Sequence, residues 1–335
     1  MAYFTTTMVM ILLACILCRG GCQQITQPPN AIVALDGSGN YTTIMAAVSA
    51  APNSSITKYY ILIKQGTYNE YVQIEEWKTN IVLIGEGMDK TIISGNKSYG
   101  GGIRTYDSAT VGVNGQGFMA QDITFRNIAG AQMQQAVALR ATADSCTFYR
   151  CKFDGFQDTL YAHSGKQFYR ECTILGTVDF ICGDAVAVFQ NCLVEARMPL
   201  PGQYITITAQ QKNGEKEASG FVLQNCTLQL ATPDADNVTM YLGRPWGNFS
   251  TTVIMQSSID LLINPKGWIE FQGETLVRPF YMEFKNRGPG ANTTGRVTWA
   301  RITNDPNVTS SFTVRNFIQG DKWIPSTVPH YLDLL

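Results

Sequence analysis

The chain has 335 residues, 25 Lys and Arg against 26 Asp and Glu, and a formal net charge of -1. That balance excludes the basic footprint of a nucleic-acid binder and the polybasic patch of a membrane-surface protein. With 45% hydrophobic residues the chain can bury a substantial core, and its length allows one large domain or two ordinary ones.

Met8 to Cys18 is an apolar run at the extreme N-terminus, too short to span a bilayer. The small residues Gly20 and Cys22 follow, so residues 1–22 read as a signal peptide cut before Gln23. No Lys or Arg precedes the run, so this reading leans on the apolar stretch. Asn-X-Ser/Thr sequons begin at Asn40, Asn53, Asn96, Asn225, Asn237, Asn248, Asn292 and Asn307, in agreement with secretion and glycosylation. Asn225 falls inside a predicted strand, FVLQNCTL, and is expected to stay unglycosylated. No other segment reads as transmembrane. Without Cys15, Cys18 and Cys22, six cysteines remain, and in an oxidising compartment some can pair. No CxxC or Cys/His spacing accompanies the two histidines, His163 and His330, so a structural zinc site is not expected, and the sequence implies no metal or organic cofactor.

Tyr41 to Ala51 has an apolar helical face in Ile44, Ala47, Val48 and Ala51, with Thr42 or Thr43 placed to cap its start. Beyond it runs an imperfect repeat: GFMAQDITFRN, TFYRCKFDG, FYRECTILG, VFQNCLVEA, FVLQNCTLQL and VIMQSSIDLL. Anchored on Ile123, Cys151, Cys172, Cys192, Cys226 and Ser258, the spacings are 28, 21, 20, 34 and 32. Short alternating strands at such intervals predict a right-handed parallel β-helix, a solenoid. An antiparallel sandwich needs hairpin signals that are sparse here. The 41–51 helix is expected to cover the open N-terminal end, since bare strand edges must be blocked. After Phe280 the repeat is lost, and an irregular C-terminal tail is expected to fold back along the outside. Lys212 to Glu217 reads as a solvated loop. No linker divides residues 23–335, which predicts a single domain; a monomer is expected.

The repeat also places chemistry. Asp158 and Asp179 stand 21 residues apart, as do Cys151 and Cys172. If these units stack as rungs, the two carboxyls lie one strand spacing apart, ~4.8 Å. Two acids that close do not both ionise easily, so one is expected to keep its proton near neutral pH. A carboxylate beside a carboxylic acid supplies a nucleophile or base next to an acid. Ester cleavage needs a nucleophile, an oxyanion stabiliser and a proton donor for the leaving alkoxide. A serine-esterase triad needs a histidine base; His163 is the candidate within the repeats, it lacks a Gly-x-Ser-x-Gly elbow, and it reads as a surface residue.

The chain resembles the plant pectin methylesterases through GTYNE (66–70), QAVALR (135–140), GFQDTLY (155–161), GTVDFICG (176–183) and LGRPW (242–246). The resemblance runs from Asp36 to Pro325 and implies hydrolysis of the methyl esters of homogalacturonan in cell-wall modification. Only residues 23–35 separate the expected signal from Asp36, so a form without the helical inhibitor-like pro-region is implied. On the matching strings, Asp179 is the expected nucleophile and Asp158 the acid/base. Gln157 and Gln135 donate to the oxyanion, and Arg244 holds Asp179. Trp246 and Thr105 are expected to bind substrate, with Phe156 and Phe180 as candidate aromatic contacts; Tyr161 and Trp268 read equally as packing. Members commonly join the pair matching Cys151 and Cys172 in a disulfide; a ladder of free buried thiols, with Cys192 on the next rung, is the other reading. Secretion to the cell wall, pectin as substrate and a proteinaceous inhibitor as partner follow from the same resemblance.

The chain departs from the family pattern at Cys182, where an aromatic is usual, at Phe156 for tyrosine, at Gly247 for a frequent lysine, and in the extra Cys146. These touch substrate affinity and pattern of attack more than reaction type. A solenoid polygalacturonase or lyase is a competing class, but the Gly-His-Gly and Arg-Ile-Lys strings of the former are missing. A catalytically silent wall-binding protein is the third reading; intact Asp158, Asp179, Gln135, Gln157 and Arg244 argue against it.

Overall fold

The computed structural model describes residues 28–232, 238–261, 263–271 and 278–335; the expected signal segment lies outside them. The chain winds into a right-handed parallel β-helix with sheets of 11, 7 and 8 strands. Cys146–Tyr149, Lys152–Asp154 and Leu160–Ala162 make one coil, and Lys166–Arg170, Thr173–Gly176 and Ile181–Gly183 the next. Successive coils pair in parallel on all three faces.

One backbone device bends each coil. Asp122, Arg150, Glu171, Asn191, Asn225, Gln256 and Lys285 adopt φ between +47° and +58°. Such a residue ends one strand and turns its successor inward, so Ile123, Cys151, Cys172, Cys192, Cys226 and Ser257 are buried. The register Thr227↔Ser258 makes Ser257, not the expected Ser258, the equivalent of Cys226. Asn225 likewise sits at a bend rather than inside a strand, and its amide donates to Asn191 Oδ1 at 2.9 Å.

Inside, side chains stack rung on rung. Phe148 lies over Tyr169 at 4.8 Å and Tyr169 over Phe189 at 4.5 Å, near the strand spacing. Such ring pairs contribute about 0.5–1.5 kcal/mol each beyond area burial. Beside them runs the cysteine ladder. All six described cysteines are free, so the expected Cys151–Cys172 bridge is absent here. Each thiol donates to a main-chain carbonyl instead: Cys151 to Tyr149 at 3.5 Å and Cys172 to Phe148 at 3.4 Å. Burial pushes the Cys172 and Cys226 thiols well above their ordinary range, which keeps them unreactive. Denatured, unreduced protein comprising residues 28–335 should therefore titrate six thiols, and dithiothreitol should leave its melting temperature unchanged. Four thiols would reveal a bridge.

The N-terminal helix forms over Ile44–Ala50, with Ile44, Ala47 and Val48 buried against the first coil. Thr43 caps it by accepting from Ala46 N, and Glu70 accepts from Ile44 N at 2.8 Å and Met45 N at 3.1 Å. At the other end the repeat continues past Phe280. Phe280–Phe284 and Ala300–Thr303 add two rungs to the largest sheet. They were illegible because the other two sheets stop at Pro245 and Ile259, so these coils carry one strand each. The tail then folds back as expected. Gln190 brackets the Tyr331 backbone with 2.9 Å bonds to its N–H and carbonyl, Gln224 donates to Asp333 O at 3.0 Å, and Gln256 clamps Leu335.

Candidate active site

The seven-stranded sheet carries the chemistry on its outer face. Along it the register aligns Arg140, Tyr161, Cys182, Ala209 and Arg244, one per coil. Val137, Tyr161, Cys182 and Ala209 pack as an apolar floor separate from the solenoid core, with Trp246 half-buried against it, 6.4 Å from Tyr161.

Asp158 and Asp179 each stand two residues before one of two successive strands of this sheet, Leu160–Ala162 and Ile181–Gly183. Asp158 N donates to Val178 O at 3.1 Å and Leu160 N to Phe180 O at 2.9 Å, so the aspartates occupy equivalent places on adjacent rungs. Each adopts a left-handed backbone, φ 57° and 53°. Aspartate tolerates this region better than bulky residues, but not freely, and such residues cluster at functional sites. Both are buried, 7% and 6% exposed, yet their environments differ sharply.

Asp179 is saturated with donors. Arg244 reaches it twice, Nε to Oδ1 at 2.8 Å and Nη2 to Oδ2 at 2.5 Å. Thr206 donates its hydroxyl to Oδ1 at 2.6 Å and accepts the Asp179 N–H at 2.9 Å. Arg244 is itself held, donating to Tyr204 OH at 3.1 Å and lying 4.4 Å over the Phe271 ring. Asp158 has none of this: among the described residues, no hydrogen bond ends on its carboxyl. Burial, and then the charge of Asp179, push its pKa well above the carboxylate range, with Arg244 offsetting only part. The pair thus joins a carboxyl gripped by an arginine and a threonine to one whose burial favours the protonated form.

The glutamines stand beside them. An isolated parallel bridge sets Gln135 and Gln157 on neighbouring rungs, and Gln157 directly precedes Asp158. The Gln135 side-chain oxygen is buried and unpartnered. Phe156 is half-buried beneath the Arg197 guanidinium at 4.5 Å, and Arg197 is tied to Asp154 at 2.8 Å. Thr105 opens a short 3-10 helix ending at Ser108, on a segment that brings Tyr106 to 6.5 Å from Tyr161.

Phe180 is a correction. It is fully buried in the solenoid core, because the left-handed turn at Asp179 sends one side chain outward and the next inward. It cannot contact a bound polymer. Trp268 also belongs to the core, donating to Glu283 Oε1 at 3.2 Å. His163 is no surface residue: half-buried, it sits against Tyr161 at 5.0 Å and Tyr106 at 5.3 Å. Thr206, Tyr204 and Phe271 escaped sequence reasoning. Thr206 had a usable signal, since one more rung of register from Asp179 leads to it; the two aromatics come from connecting segments that carry no period.

Comparison with known proteins gives one answer. A family profile described as Pectinesterase matches residues 30–321. The chain is 48% identical over 313 residues to a probable pectinesterase/pectinesterase inhibitor 17 of Arabidopsis thaliana, covering 92% of this chain and 60% of that one. It is 47% identical to pectinesterase 2 of Citrus sinensis, at 91% and 60% coverage. The chain thus spans about 60% of the length of these curated relatives. Among solved structures, a pectin methylesterase from carrot superposes with a TM-score of 0.90 at 44% identity, covering 93% of this chain and all of the other. One from Aspergillus niger superposes at 0.78 with 30% identity, covering 90% of this chain and 99% of the other.

Proposed function

The chain belongs to the pectinesterase family, and on that footing we propose that it hydrolyses the methyl esters of homogalacturonan, releasing methanol and leaving a free carboxylate. The observation that carries this reading is the division of labour between two adjacent aspartates, one clamped by Arg244 and one buried without a donor.

Asp179 acts as nucleophile. Its Oδ1 already accepts from both Thr206 and Arg244 Nε, whereas Oδ2 accepts from Arg244 Nη2 alone, so Oδ2 has the freer lone pair for attack. The Oδ2–carbon bond forms, and the carbonyl oxygen becomes an oxyanion, which the amides of Gln135 and Gln157 stabilise. Losing one such donor typically lowers turnover ~100- to 1000-fold. The Asp158 proton goes to the methoxy oxygen as the C–OCH3 bond breaks, and methanol leaves an acyl-enzyme anhydride. Asp158, now a carboxylate, takes a proton from water. The hydroxide attacks the substrate carbonyl, the bond to Asp179 breaks, and both aspartates return to their starting states.

Thr206 fixes the nucleophile through two bonds to one residue, and its replacement should show in the chemical step. Thr206→Val is expected to lower kcat ~10- to 100-fold with KM little changed, since a charge-assisted bond contributes about 1.5–3 kcal/mol. Thr206→Ser should recover most of the loss. A valine variant with wild-type kcat would remove Thr206 from the mechanism.

Trp246, Phe156, Tyr161 and Thr105 line the path of the polymer in this reading, and secretion to a cell wall, action as a monomer and control by a proteinaceous inhibitor complete it. Among the described residues no helix is long and apolar enough to cross a membrane. Methanol release from methylated pectin, set against viscosity loss, tests the reading. Methanol without chain scission supports an esterase; scission without methanol would point to a depolymerase.

A further inference from the structure

Gln157 and Asp158 lie on the turn 155–159, between the strands Lys152–Asp154 and Leu160–Ala162. Main-chain bonds fix the later part of this turn to the next coil: Thr177 N donates to Phe156 O at 2.9 Å and Asp158 N to Val178 O at 3.1 Å. Thr159 closes it from within, donating its hydroxyl to Phe156 O at 3.1 Å. The start of the turn is gripped by one side chain from elsewhere. Arg197 Nη1 donates to Asp154 Oδ1 and to Gly155 O, each at 2.8 Å, and its guanidinium lies 4.5 Å over the Phe156 ring. One guanidinium thus holds three consecutive residues, and the next in sequence is Gln157.

Arg197 comes from further along the spiral. It follows the strand Leu193–Ala196, and the register Asp154↔Leu175↔Glu195 puts that strand two rungs, ~10 Å, beyond Asp154. Its N–H donates to Gly176 O at 2.9 Å, so the side chain starts from a fixed point and reaches back over the coil of Asp179. Gly176 lets the turn come close, since a Cβ there would stand 2.7 Å from Phe156 O. As an ion pair, Arg197 and Asp154 count for little, because their side chains are 28% and 22% exposed and water screens them. The contribution is geometric. A guanidinium is a planar fork that donates to fixed oxygens while lying on a ring, whereas an ammonium is a point charge with no flat face. An oxyanion donor and an acid follow this grip directly, and a displacement of ~1 Å at such groups can cost ~100-fold in rate.

We propose that Arg197 is a positioning residue for the esterase reaction: by holding Asp154, Gly155 and Phe156 it sets where the Gln157 amide and the Asp158 carboxyl stand against the ester. Arg197 itself touches none of the reacting atoms. This rests on the pectinesterase reading and extends its machinery to a side chain two coils away from the acid it serves.

Methanol release from methylated pectin tests it. Arg197→Lys keeps a charge beside Asp154 and loses the stack, so kcat should fall ~10-fold while KM stays within about 2-fold of wild type. Arg197→Ala should lower kcat ~100-fold. A role confined to stability would not produce the next result. In a Gln157→Ala background the amide to be positioned is already gone, so Arg197→Lys should cost about 3-fold or less, a strong departure from additivity. Losses that multiply fully in the double variant, or a raised KM with kcat unchanged, overturn the proposal. Should the arginine variants fail to fold, Asp154→Ala removes one of the two Nη1 bonds with Arg197 in place; a kcat loss that is undiminished without Gln157 overturns the proposal equally. A wild-type protein that releases no methanol from pectin removes the pectinesterase reading itself, whereas wild-type release with an unimpaired Arg197→Lys removes this inference alone.

Discussion

Replacing Asp179 with alanine is expected to lower methanol release by ~10⁴-fold or more, the scale on which enzymes lose turnover when their nucleophile is deleted. The same change strips Arg244 of both its carboxylate bonds. The arginine and aspartate side chains are only 12% and 9% exposed, and breaking a buried ion pair from one side costs about 3–5 kcal/mol. The alanine variant should therefore also be less stable. Asp179→Asn separates the two effects. Its amide oxygen still accepts from Arg244 or Thr206, but it offers no carboxylate to attack the ester. It should be as inactive as the alanine variant and distinctly more resistant to denaturant. Asparagine turning over at the wild-type rate would end the nucleophile assignment, whatever its stability.

Asp158→Asn should split activity from stability in the opposite sense. Loss of a positioned acid lowers turnover ~10²- to 10⁴-fold. Folding, however, holds this carboxyl in a place that disfavours its charge, by burial and by the neighbouring Asp179. Its folded pKa lies above the unfolded value near 3.8, so the folded chain takes up a proton between those two values. The stability that Asp158 contributes is full below the unfolded value and is lost as pH rises through the folded one. Asparagine carries no such penalty. The variant should be slower but more stable than wild type at neutral pH, by on the order of 1 kcal/mol, the usual exchange when an active-site strain is relieved. Wild-type and variant denaturation curves should converge as pH falls toward the unfolded value. A variant less stable at every pH would mean that the Asp158 carboxyl serves the fold rather than straining it.

What the chain displays openly is its periodicity. Cysteine and aspartate share one 21-residue step, and that step is the coil. It places the two acids side by side without any tertiary information. The helix over Ile44–Ala50 was equally plain, because an apolar face and a threonine cap define it locally. Period alone, however, does not say which way a side chain points. Phe180 follows Asp179 in sequence and lies on the other side of the wall, since a left-handed residue intervenes. The same device shifts the last rung from Ser258 to Ser257. Tyr204 and Phe271 reach Arg244 from connecting segments of irregular length, where no register can be counted. His163 and Arg140 looked ordinary because an unsatisfied buried atom becomes visible only when its neighbours are known. Cysteines one rung apart can form either a bridge or a thiol ladder, and register alone does not distinguish them.

The pH dependence of methanol release by wild type and by Asp158→Asn bears most directly on the two-aspartate account. Turnover needs Asp158 protonated, so the wild-type rate should fall as pH rises and that carboxyl loses its proton, with an apparent value that belongs to the coupled pair. In the asparagine variant the descending limb should vanish and leave a low plateau. An unchanged descending limb in that variant would contradict the assignment, because the proton governing it would then reside elsewhere.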